Sequence, residues 1–102
     1  MVTVNDARLY LGIDVTDDDM VNHNVSRCLS TAVKVLHGAV GEDVEKYLPD
    51  DSRVNELVLI YVEDLYSQRG LAAKVSNATR RLVSDMEQQL RLELRTAKEA
   101  SV

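Results

Sequence analysis

The stretch from Arg53 to Gln68 constrains the fold most. Wound as a helix, its Val54, Leu57, Val58, Leu59, Tyr61, Val62, Leu65 and Tyr66 leave only a narrow polar strip with Glu56 and Glu63. A helix that is apolar almost all round has to be enclosed, so it belongs at the centre of a domain whose other elements cover it. A chain of 102 residues has room for one core and not for two. The expectation is an all-α fold: one domain over residues 1–102, a small bundle of about four helices with this apolar third helix central and a long helix at the C-terminus. The last few residues are expected to be disordered.

Punctuation along the chain agrees with that count. Thr3 is placed to cap a short first helix running to about Leu11. Asp6 stands in its first turn, and Gly12 falls where a left-handed C-terminal residue is wanted. After the connecting Ile13 to Thr16, Thr16 or Asp17 caps a long second helix to about His37, with Asp17, Asp18 and Asp19 at the positive end of its macrodipole. Gly38 or Gly41 ends it. On this helix Val21, Val25, Cys28, Leu29, Ala32, Val33, Val35 and Leu36 share one face, with His23, Arg27 and Lys34 opposite.

A loop is expected around Tyr47 to Asp50, with Asp51 or Ser52 capping the central helix and Gly70 stopping it. The fourth helix begins after Ser76 and reaches about Lys98. Leu82, Val83, Met86, Leu90, Leu94 and Ala97 form its packing face, while Arg80, Arg81, Arg91, Arg95 and Lys98 cover the other side. At some 35 Å such a helix is longer than a small core requires, so its far end is expected to project or to dock on a neighbour. No stretch alternates as an exposed strand would, and neither a repeat nor a low-complexity tract is visible.

Catalytic constellations are hard to draw. His23 and His37 lack the helical i+4 spacing of a zinc motif, and one cysteine cannot make a thiolate metal site. They read as surface histidines. Cys28 sits in the middle of an apolar stripe, where a thiol packs like a small hydrophobe and stays unreactive. Asp14 to Asp19 resembles the start of a calcium loop but lacks the turn glycine, and its twelfth position is Val25, so helix capping explains it better. Four isolated glycines cannot form a phosphate cradle. The chain is therefore expected to be non-enzymatic, without cofactor or metal.

Charge is spread unevenly. Residues 1–51 carry ten acids and four bases, a net −6, and residues 52–102 carry seven acids and eight bases, a net +1, so the negative charge lies in the first half. Such a split suits head-to-tail self-association, and it also arises by chance. The basic stripe of the last helix is open to three readings: a solvated face, a protein-docking surface, or a track for a phosphate backbone. A protein partner is preferred over DNA, because the chain is acidic overall and has no Trp or Phe for a stacking platform. No apolar run approaches the length of a membrane span, and the N-terminus lacks a basic, apolar leader, so the expected setting is cytosolic.

The order of these elements, with Ala7 to Asp14, then Asp17, Asp18 and Asp19, then Ala32 and Val33, and the block from Leu57 to Tyr66 followed by Ser67-Gln68-Arg69-Gly70, resembles the head-to-tail connector family of tailed phages. The likeness covers roughly residues 4–70. It implies a helical, non-enzymatic subunit assembling in the bacterial host cytoplasm and residing in the virion neck. It further implies a ring of about a dozen copies on the portal protein, which extends the DNA channel and seats the next neck or tail protein. DNA would pass through without specific binding. The polar Asn22-His23-Asn24 and the lack of large aromatics depart from the family pattern. Expected contact residues are Asp17, Asp18, Asp19, Arg80, Arg81, Arg91, Arg95 and Lys98. Two rivals are a DNA-binding regulator or packaging-initiation protein, and a small helical dimeric adaptor.

Overall fold

The computed structural model describes residues 2–13, 19–67 and 77–100. Within them the order is α1 (Val4–Leu11), α2 (Asp19–Ala39), α3 (Val44–Tyr47), α4 (Ser52–Ser67) and α5 (Asn77–Ala100), with no strand among the described residues. The fold is all-α, as the periodicities require.

Local chemistry sets the ends. The Thr3 hydroxyl accepts the Asp6 N–H at 3.1 Å while the Asp6 carboxylate accepts the Thr3 N–H at 2.9 Å, a reciprocal capping box. Those bonds hold the Asp6 carboxyl below its usual range. Gly12 closes α1 at φ 73, its N–H returning to the helix. Asp51 caps α4: its carboxylate accepts the Arg53 N–H at 2.9 Å and its carbonyl accepts the Asn55 N–H at 3.1 Å. The cap expected at Thr16 or Asp17, the stop at Gly70 and residues 101–102 lie outside the described residues.

The α4 helix lies at the centre, making its most extensive contact with α2. Leu57 and Val62 are fully enclosed there, Val58 nearly so. From α2 come Val25, Cys28, Ala32 and Leu36, the i, i+3, i+7, i+11 row of its apolar stripe. Ala7 from α1, Val44 from α3, and Leu90 and Leu94 from α5 complete the cluster.

Several expectations need correction. Gly38 does not end the second helix; it is helical, and the chain turns only after Ala39. The amide of Val40 still reaches the Leu36 carbonyl at 2.9 Å, and Gly41 then leaves at φ 149. The loop expected at Tyr47 begins instead as α3, one turn held by the buried Val44. Val35 is 41% exposed and Leu82 54%, although periodicity puts both on packing faces. Each lies at the edge of its stripe, where the neighbouring helix no longer covers it.

Nor does the far end of α5 project. Leu94 is buried, Ala97 is half-buried, and the helix seats itself against the turn after α2. Gly41 makes that seat possible, because a Cβ there would lie 2.6 Å from Leu94 Cδ2.

Candidate docking surfaces

The α5 helix is fixed along both flanks. On one side the Arg80 Nη2 stands 3.2 Å from Asp64 Oδ1, the Arg91 Nη1 donates to the Ala39 carbonyl at 3.0 Å, and Lys98 Nζ lies 3.2 Å from Asp43 Oδ2. On the other, Arg53 bridges two elements. It donates through Nη2 and Nε to the Asp51 carboxylate at 2.8 and 3.1 Å, and through Nη2 to Glu93 Oε1 at 2.9 Å, with its Nη1 on the other Glu93 oxygen. Hydrogen bonds from this guanidinium hold both carboxyls below their usual range and push the Arg53 pKa up.

The expected basic stripe is therefore not one continuous outward face. Arg80, Arg91 and Lys98 sit on the flank and reach back to the body, while Arg81 and Arg95 are exposed on the outer side. These three contacts span 16 to 55 residues of chain, and helical spacing within α5 gives no sign of them. Of the acidic trio, Asp19 is exposed at the start of α2, and Asp17 and Asp18 lie outside the described residues.

His23 is exposed, and His37 is half-buried with Nε2 2.9 Å from Glu45 Oε1. Cys28 is buried, 3% exposed, against the core. Among the described residues no three His, Cys, Asp or Glu side chains gather as metal ligands would. No described helix is long and apolar enough to cross a membrane.

Two of the concave surfaces among the described residues are lined mostly by apolar side chains. The first, about 310 Å³, opens between α2, α4 and α5 and is lined by Val35, Ile60, Tyr61, Asp64, Arg80, Val83 and Glu87. The Tyr61 hydroxyl is buried in it with no partner in hydrogen-bond geometry. Burial, with the nearby Glu87 charge, pushes this phenol pKa well up. It stays protonated at neutral pH.

The second, shallower and about 490 Å³, lies between α1 and α4 and is lined by Val2, Asp6, Leu9, Tyr10, Asn55 and Leu59. Leu9 is 66% exposed. The Tyr10 pKa is raised by partial burial and then by the nearby charges of Glu56 and Glu63. Sequence reasoning did not single out this face as a surface, because an eight-residue helix with one buried residue, Ala7, has no wide apolar stripe to read.

No protein-family model matches the chain, and no curated protein or solved structure matches it.

Proposed function

We propose that this protein is a non-enzymatic assembly subunit, and specifically a head-to-tail connector of a tailed phage or prophage. It would form a ring on the portal vertex, extend the DNA channel and seat the next neck or tail protein. The observation that supports this best is α5: a 24-residue helix, braced on both flanks, whose outer side presents Leu92, 61% exposed, beside Arg95. A rigid helix whose outer side is not used by its own core offers a preformed surface for contact with another protein.

The same bracing weakens the DNA-binding alternative. Two of the five cations on the stripe, Arg80 and Lys98, already face the carboxylates of Asp64 and Asp43, so less of its charge is left to neutralise phosphates.

The test is mass in solution across a wide concentration range, alone and with a candidate portal protein. Rings, or a monomer captured by the portal, support the connector reading. A fixed dimer indifferent to the portal replaces it with the small helical adaptor, and salt-sensitive retention of duplex DNA replaces it with the DNA-binding regulator.

A further inference from the structure

The face between α1 and α4 combines apolar side chains with carboxylates. Val2, Leu9, Tyr10 and Leu59 line it together with Asp6, and the carboxylates of Glu56 and Glu63 lie near Tyr10. Such a surface favours an apolar knob carried next to a cation, which would bury the first and pair the second with a carboxylate.

The exposed large hydrophobic residues described in this chain are Leu9, Tyr10, Met20, Val35, Leu82 and Leu92. On a helix, side chains three or four apart are the ones that meet. By that rule Leu92 alone among the last four has a cation beside it, Arg95, which is itself exposed. Leu82 has Asp85 and Met86 at those positions, Val35 has Gly38 and Ala39, and Met20 has His23 and Asn24.

We propose that this face of α1 and α4 is the seat for the Leu92–Arg95 edge of α5 from a second copy of this chain. The two surfaces are unlike, so the contact is heterologous and leaves one seat and one edge unused at the ends of any chain of copies. This rests on the assembly reading above and adds to it which surfaces meet.

The test uses two full-length variants, Leu9→Asp and Leu92→Asp. Both positions are exposed, so the helical signal in circular dichroism should match wild type. Each variant should lose self-association by about tenfold or more, since an apolar contact is replaced by a charge. Mixed in equal amounts, they should form a heterodimer and stop, because one retains an intact edge and the other an intact seat.

Three results would overturn the proposal: variants that assemble like wild type, a mixture that stays monomeric, or a wild-type chain that is monomeric at every concentration. Rings unaffected by both substitutions would remove these surfaces while leaving the connector reading in place. A monomer whose capture by a portal protein is abolished by Leu9→Asp would give the seat to the portal instead.

Discussion

Two glycines three residues apart show how position decides what a residue is worth. Gly38 lies inside α2, exposed, with nothing within 4 Å of where a Cβ would be, so Gly38→Ala should stabilise the protein by about 0.5–1 kcal/mol. Gly41 has φ 149 and Leu94 Cδ2 in the space a Cβ would take. Leu94 is buried and has little room to give way, so Gly41→Ala should cost about 1–3 kcal/mol. Urea unfolding of both variants checks the pair, with midpoints expected to move in opposite directions. The sequence offers either glycine as the stop of the same helix. Their difference was not legible there, because it depends on where α5 comes to rest.

At the scale of elements, caps were legible and flanks were not. Thr3 with Asp6, Gly12, and Asp51 act within a few residues of themselves, so the chemistry that ends α1 and starts α4 is written locally. The four-residue α3 barely exceeds one helical turn, too short for a periodicity to show, and burial of its Val44 requires the rest of the core. Periodicity placed Leu90 and Leu94 correctly on the packing face of α5 but could not say how far a neighbour extends, which is why Leu82 and Val35 remain exposed. The Arg53 fork joins α5 to the start of α4 across 40 residues and left no trace in spacing. It has a pH signature. Asp51 and Glu93 have native pKa values below their ordinary 3.8 and 4.5, so their stabilisation is complete above those values and is lost as pH falls through the depressed native ones. Wild-type stability should therefore decline below about pH 4.5, and Arg53→Gln should flatten that decline while lowering stability at neutral pH. Thermal melts from pH 7 to 3 measure both effects.

Across the whole molecule, each described helix contributes at least one residue to the same core cluster, from Ala7 at one end of the chain to Leu94 near the other. Unfolding is expected to be a single cooperative step. Leu90→Ala should cost about 2–5 kcal/mol and shift the far-ultraviolet and tyrosine signals together; transitions separating by probe would show that α5 melts on its own. The bracing of α5 also has a mechanical meaning. Pulled along its axis, the helix loads the contacts at Glu93, Arg91 and Lys98 in shear and in parallel, so they yield together at high force. Lifted from the end where Arg80 meets Asp64, it meets those contacts one after another and peels at low force. The same anchorage is thus stiff against thrust and compliant to a sideways tug.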